Sequence, residues 1–81
     1  MTLEQRQQMT AFLGDLYPMI PVNITLEPWW EEAFGTWILW AHGICLTAPI
    51  LYLQLIENSK TLANLHGIEV ILAPFEAKPP D

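Results

Sequence analysis

The stretch AFGTWILWAHGICLTAPILYLQLI, residues 33–56, decides the fold class because it contains no Asp, Glu, Lys or Arg. An uncharged run of this length is typical of one membrane-spanning helix or of several buried strands in succession. The dipeptide His42-Gly43 suits a two-residue hairpin turn, and Pro49 interrupts the run a second time. We therefore predict antiparallel strands at residues 36–41, 44–48 and 50–56.

The strand predicted at residues 50–56 rests on alternation. Leucine occupies every second position from Leu51 to Leu55, with Tyr52 and Gln54 between them. In a strand, alternate side chains share a face, so the leucines would lie together on one side of the sheet.

The N-terminal segment carries a helix-start pattern. Thr2 followed by Gln5 is a capping box, and apolar residues then recur at helical spacing. We predict a helix from Leu3 to Gly14 or Leu16. An extended segment follows over residues 18–27, with a short edge strand around Ile24.

A short acidic and aromatic helix is predicted next, over residues 28–34. Pro28 suits a first helical turn, Glu31 and Glu32 suit the positive end of the helix dipole, and Gly35 ends the pattern. On such a helix the apolar side chains would form one broad face: Trp29, Trp30, Ala33 and Phe34.

The C-terminal third predicts a helix and then a strand. Ser59 is a candidate N-cap for a helix over residues 59–66, which Gly67 would end. Alternating apolar residues then indicate a last strand at residues 68–72. Together the elements predict a small α+β fold.

The length of the chain and the position of its prolines indicate the domain organisation. The chain has 81 residues, enough for one domain, and its last residues are rich in proline. We predict a single small domain over residues 1–73 and a Pro-rich C-terminal tail over residues 74–81.

Composition limits the partners and the compartment. The formal net charge is −6, so phosphate backbones and anionic lipids would repel the chain and direct nucleic-acid binding is not expected. Cys45 is the only cysteine, which excludes a disulfide within the chain and fits a reducing compartment. We predict a cytoplasmic location.

The alternative is one transmembrane helix over residues 33–56 in a mostly α protein. The chain would then be a single-pass accessory subunit of a membrane complex, with His42 as a candidate pigment or haem ligand. Glutamates flank the run on both sides and Lys60 is the only nearby base, so the usual basic anchor is weak.

Two pairs of potential metal ligands occur, His42-x-x-Cys45 and His66-x-x-Glu69. They could form a tetrahedral site, but a structural zinc site usually contains more thiolates than this sequence offers. No third group that would orient the His42-Cys45 pair for nucleophilic catalysis is evident. We predict no cofactor, no metal and no enzymatic activity.

The concentration of tryptophan next to glutamate predicts a binding function. Four Trp lie within twelve residues, more than a small core can enclose, and Trp is enriched at binding hot spots. We predict a small acidic inhibitor, immunity or adaptor protein that occludes a basic and apolar surface of another protein. Homodimerisation through the same residues is the alternative. The predicted partner-binding residues are Trp29, Trp30, Phe34, Glu27, Glu31 and Glu32.

The predicted order of elements resembles that of the phage uracil-DNA glycosylase inhibitors. Residues 30–35, Trp-Glu-Glu-Ala-Phe-Gly, are similar to the second helix of those proteins. The acidic Glu-Ser stretch that they place before this helix is absent, and the helix predicted at residues 59–66 is additional. The resemblance implies the layout alone, and no residue role is carried over.

Overall fold

The computed structural model of the chain describes residues 2–43 and 49–78. In these ranges, two α-helices and a three-stranded sheet confirm the predicted α+β class. Short 3-10 helices at Tyr17–Met19 and Phe75–Ala77 follow the first helix and the last strand. The elements, in chain order, are α1 (Leu3–Leu16), β1 (Thr25–Glu31), β2 (Thr36–His42), α2 (Pro49–His66) and β3 (Val70–Pro74).

The sheet has the order β1-β2-β3 and mixed direction. Strands β1 and β2 are antiparallel, in a register that places Trp29 opposite Ile38, whereas β2 and β3 are parallel. A parallel pair needs a long crossover connection, and α2 lies in the chain between these two strands. The crossover through α2 therefore accounts for the parallel pairing of β3, whose direction was not predicted from the sequence.

Helix α1 begins as predicted. The Thr2 hydroxyl accepts a hydrogen bond from the Gln5 amide (3.1 Å), and the Gln5 side chain accepts one from the Thr2 amide (2.8 Å). This reciprocal pair satisfies amide donors that a helix leaves free at its N-terminus.

The acidic and aromatic helix predicted at residues 28–34 is wrong. Residues up to Glu31 belong to strand β1, and a turn over residues 32–35 joins β1 to β2. The apolar alternation that begins at Leu26 continues through Pro28 to Trp30. Pairing with β2 stabilises the strand conformation that fits this period of two, so the segment does not form a helix. The layout shared with the glycosylase inhibitors therefore loses its second helix.

The strand predicted at residues 36–41 is confirmed as β2, Thr36–His42. Its antiparallel partner is β1, and a turn over residues 32–35 joins the two strands. The strand predicted at residues 44–48 lies outside the described residues. Gly35 adopts a positive φ of 61° in the turn between β1 and β2, a conformation that glycine tolerates.

The strand predicted at residues 50–56 is wrong, because these residues form the first half of α2. The predicted helix at 59–66 is its second half. The buried residues of α2, Leu55, Ser59 and Ala63, recur every fourth position, which is the helical period. Ser59 lies inside the helix rather than at its N-cap, and its hydroxyl donates to the Ile56 carbonyl (2.8 Å).

Gly67 ends α2 as predicted, with a φ of 68°. Its amide donates to the Asn64 carbonyl, and the Ile68 amide donates to the Ala63 carbonyl (3.0 Å), so carbonyls of the last turn are satisfied. The following strand is shifted two residues from the prediction of 68–72, to Val70–Pro74.

Both helices pack on the same face of the sheet. The buried cluster joins Phe12 and Leu16 of α1 and Leu55 of α2 to Leu39 and Leu72 of the strands. The result is a two-layer arrangement with a radius of gyration of 12.4 Å.

The membrane-spanning alternative is wrong. In the proposed span, residues 36–42 form a strand and residues 49–56 a helix, so 33–56 is not one helix. Among residues 2–43 and 49–78, no helix has the length and apolar character needed to cross a bilayer.

Candidate protein-binding surface

The two faces of the sheet have different surroundings. The helix-covered face carries Leu26, Pro28 and Trp30 of β1, and Trp37, Leu39 and Ala41 of β2. We call the opposite side the open face, because neither α1 nor α2 packs on it. The register assigns to the open face Glu27, Trp29, Glu31, Ile38, Trp40, His42, Ile71 and Ala73.

Strand geometry separates the two tryptophans that were predicted to share one helical face. Trp30 lies on the helix-covered side, where its ring meets that of Trp37 edge to face at 5.3 Å between centroids. Trp29 lies on the open face and is 41% exposed. Successive side chains of a strand point to opposite sides, so the two rings cannot serve one surface.

Glu27 is the centre of a polar cluster on the open face. One carboxylate oxygen lies 3.2 Å from His42 Nε2, and the other accepts from the Lys78 ammonium at 3.4 Å. The hydrogen bond from His42 lowers the pKa of the Glu27 carboxyl, desolvation opposes this, and the Lys78 ammonium lowers it further. The carboxylate is therefore held in its charged form.

The residues after β3 fold back over this cluster. We call Phe75–Lys78 the C-terminal strap. The Phe75 ring stacks on the His42 imidazole, with 4.0 Å between centroids and 28° between planes. Lys78 Nζ lies 4.8 Å from the centroid of the Trp29 ring, within the range of a cation–π interaction.

Trp40 lies in the middle of the open face, between Glu27 of β1 and Ala73 of β3. It is only 7% exposed. Among the described residues its indole Nε1 has no hydrogen-bond acceptor, which is unusual because a buried Trp N–H normally finds a partner.

Exposed apolar side chains also occur on β3 of the open face and in the turn between β1 and β2. Ile71 is 52% exposed, and Phe34, in the turn beside Glu31, is 81% exposed. Glu31 accepts a hydrogen bond from the Ala33 amide at 3.2 Å, which fixes its carboxylate at this end of the sheet. Glu32 is exposed in the same turn.

The outer edge of β1 is closed to strand pairing at its beginning and middle. The Tyr17 hydroxyl donates to the Leu26 carbonyl (3.2 Å) and accepts from the Leu26 amide (3.3 Å), so the outward-facing groups of Leu26 are occupied. Two residues further on, Pro28 has no amide hydrogen to offer on that side. Contact through side chains of the open face is therefore favoured over addition of a strand.

The predicted partner-binding residues are all in or next to β1, but sequence reasoning missed the other strands. Ile38, Ile71 and His42 join the surface only through strand pairing, and Phe75 and Lys78 only through the backfolded strap. The sequence offered one signal for these residues: in the predicted last strand, Ile71 alternates with Val70 and Leu72 and so shares the side of polar Glu69.

A second exposed apolar area lies on the first turns of α2. Ile50 is 72% and Leu53 58% exposed, and a shallow groove of about 490 Å³ runs between them and Glu57. Sequence reasoning missed it because residues 50–56 were predicted as a buried strand.

The candidate metal ligands have other contacts. His42 binds Glu27, and His66 Nε2 lies 2.8 Å from the Asp15 carboxylate, which ties the ends of the two helices together. Within residues 2–43 and 49–78, no three His, Cys, Asp or Glu side chains are grouped to hold a metal ion. Cys45 lies outside the described residues.

No protein-family model, curated protein or solved structure matches this chain.

Proposed function

We propose that this is a non-enzymatic binding protein of the inhibitor, immunity or adaptor type. It docks the open face on a basic, partly apolar surface of another protein and occludes that surface. The observation that carries the proposal is that Trp29 and Ile71 are exposed beside glutamates on a face without a helix, with Phe34 exposed in the adjoining turn. Homodimerisation through the same face is the alternative outcome.

The division of roles follows from exposure. Trp29 and Phe34 are the apolar anchors, because their side chains can be buried by a partner. Glu31 and Glu32 would meet basic residues at the rim, and Glu27 would do so where the strap gives way. Trp30 contributes from the helix-covered side by holding β1 against β2.

Charge supports a basic partner. The chain carries nine acidic residues against three Lys and Arg, and its net charge of −6 repels other acidic surfaces. Complementary charge raises the association rate and excludes wrong partners more than it adds affinity. The same net charge disfavours the homodimer. The lone Cys45 fits a reducing compartment, and we place the protein in the cytoplasm on that basis.

Site-specific photocrosslinking in host-cell extract tests the proposal. A chain with p-benzoylphenylalanine in place of Ile71 should form a covalent adduct with a basic protein on irradiation. The same group in place of Leu65, a 79% exposed residue of α2, is the matched control and should not form that adduct.

The Trp29→Ala substitution in the crosslinking chain should abolish the adduct, and added salt should slow its formation. Equal adducts from positions 71 and 65, or an adduct unaffected by Trp29→Ala, would contradict the proposal. An adduct with a second copy of the chain would establish the homodimer instead.

A further inference from the structure

The C-terminal strap presents two side chains to the open face at a fixed spacing. The Lys78 amide donates to the Phe75 carbonyl (2.9 Å), which closes one 3-10 turn. A 3-10 helix has three residues per turn, so side chains at positions i and i+3 lie above one another. Phe75 and Lys78 therefore contact the open face from the same side of the strap.

The open face has one binding position, which we call a slot, for each of these side chains. The His42 ring receives Phe75 by stacking at 4.0 Å. The Glu27 carboxylate and the Trp29 ring receive the Lys78 ammonium, at 3.4 Å from a carboxylate oxygen and 4.8 Å from the ring centroid. An anion and an aromatic ring around one ammonium form a cation-binding site of ordinary chemistry.

The two slots are held in place by the sheet and not by the strap. Glu27 and His42 lie on neighbouring strands, and their side chains are joined at 3.2 Å independently of Lys78. A site whose groups are already oriented binds a ligand with less loss of side-chain entropy.

The strap fills this site incompletely. Phe75 remains 39% exposed, and the buried indole N–H of Trp40, on the same face, lacks an acceptor among the described residues. A longer segment in place of the strap would bury more of the open face than the strap does.

We propose that the open face recognises a partner segment carrying an aromatic and a basic side chain three residues apart, and that the strap is an internal competitor for this site. The inference rests on the proposed function and names the chemistry of its partner. The partner's aromatic ring stacks on His42, and its ammonium or guanidinium binds between Glu27 and Trp29.

Internal competition has a measurable consequence. A site that is free in only a fraction of molecules binds its ligand with an affinity reduced by that fraction. A strap closed in about 90% of molecules would weaken the apparent affinity about tenfold. Substitutions that release the strap should therefore strengthen binding although they remove contacts.

Titration of the full-length ¹⁵N-labelled chain with the peptide acetyl-Pro-Phe-Ala-Ala-Lys-amide tests the inference. The indole N–H resonance of Trp40, assigned by its loss in Trp40→Phe, reports occupancy of the site. We expect Phe75→Ala to bind the peptide at least about fivefold more tightly than the unsubstituted chain. Lys78→Gln is the second strap variant, which keeps the test valid if Phe75→Ala does not fold.

Two control peptides test the pattern. Acetyl-Pro-Ala-Ala-Ala-Lys-amide lacks the ring, and acetyl-Pro-Phe-Ala-Ala-Glu-amide reverses the charge, so both should bind at least about tenfold more weakly. Equal binding of all three peptides would overturn the recognition pattern. Equal affinity of the unsubstituted chain and both strap variants would overturn the internal competition.

These outcomes are separate from the test of the proposed function. An adduct from position 71 that depends on Trp29, together with no effect of the strap variants, would leave the binding function standing and end this inference. Loss of that adduct would end the binding function, whatever the peptides do.

Discussion

The two faces of one sheet differ in what covers them. On the helix-covered face, Leu39 is fully buried and packs in a cluster to which both helices contribute. On the open face, the neighbouring residue Ile38 is only half-buried, and Ile71 opposite it in β3 is 52% exposed. The first face forms the core of the fold, and the second keeps apolar side chains exposed.

The largest expected change in stability comes from two adjacent residues of β2, one on each face. Leu39→Ala should lower the free energy of unfolding by about 3–4 kcal/mol, because it leaves a cavity in the core. Ile38→Ala should cost about 1 kcal/mol, since less buried apolar area is lost. Urea denaturation of both variants makes the comparison, and equal costs would mean that the open face is as well packed as the other.

Gly43 directly follows β2, the strand that contributes side chains to both faces, so a substitution there tests how firmly the end of this strand is held. Its φ is 85°, and a Cβ atom there would collide with the Asn23 carbonyl oxygen. Gly43→Ala should therefore cost about 2–3 kcal/mol, from the left-handed conformation and the collision together.

Gly67→Ala is the matched control for Gly43. Its φ is 68° but nothing lies within 4 Å of the added methyl group, so only the conformational cost of about 1 kcal/mol should appear. Thermal unfolding measures both variants. A Gly43→Ala chain as stable as the Gly67→Ala chain would show that the contact with Asn23 gives way easily.

The adjacent tryptophans separate stability from binding. Trp30→Ala should lower the free energy of unfolding by about 2 kcal/mol, because the ring packs against Trp37 on the helix-covered face. Trp29→Ala should cost less than about 1 kcal/mol of stability but remove partner capture. Denaturation and photocrosslinking of the two variants measure both quantities. A larger stability loss for Trp29→Ala would reverse the assignment of the faces.

The smallest expected effect is a pH dependence that arises on the open face. The pKa of Glu27 is lowered in the folded chain, chiefly by the hydrogen bond from His42. A lowered pKa contributes stability above the unfolded-state value, and this contribution is lost as the pH falls through the folded-state value. Glu27→Gln should therefore be less stable than the unsubstituted chain at pH 6 and lose that difference between about pH 5 and pH 3.

Denaturation series at several pH values, with Glu4→Gln at the exposed start of α1 as control, measure the dependence on Glu27. A stability difference that persists unchanged at pH 3 would show that the Glu27 contacts do not depend on its charge.

Elements with a local signal were predicted from the sequence. The reciprocal bonds of Thr2 and Gln5 start α1, and Gly67 ends α2, because both patterns depend on neighbours a few residues away. Strand β2 was predicted from its uncharged run of aromatic and branched residues, although with the wrong partner.

The candidate site was predicted in part. The sequence drew attention to the tryptophans and glutamates of residues 27–34, and these residues do lie in and next to one strand and its turn. It did not show that Trp29 and Trp30 point to opposite faces, because the helical and the strand period assign them differently.

The sequence by itself determined the acidic charge, the start of α1, strand β2 and the end of α2, and it favoured the α+β class over the mostly α alternative. Only the tertiary structure decided the form of residues 50–56, where leucines fit a strand pattern while Leu55, Ser59 and Ala63 fit a helical one. Burial against distant residues chose the second, because the helix buries Leu55 and Ala63 in the core although it leaves Leu51 and Leu53 exposed. The position of the strap was likewise decided only by the tertiary structure. Lys78 contacts Glu27, which lies 51 positions away in the sequence, and local periodicity carries no information about contacts at that separation.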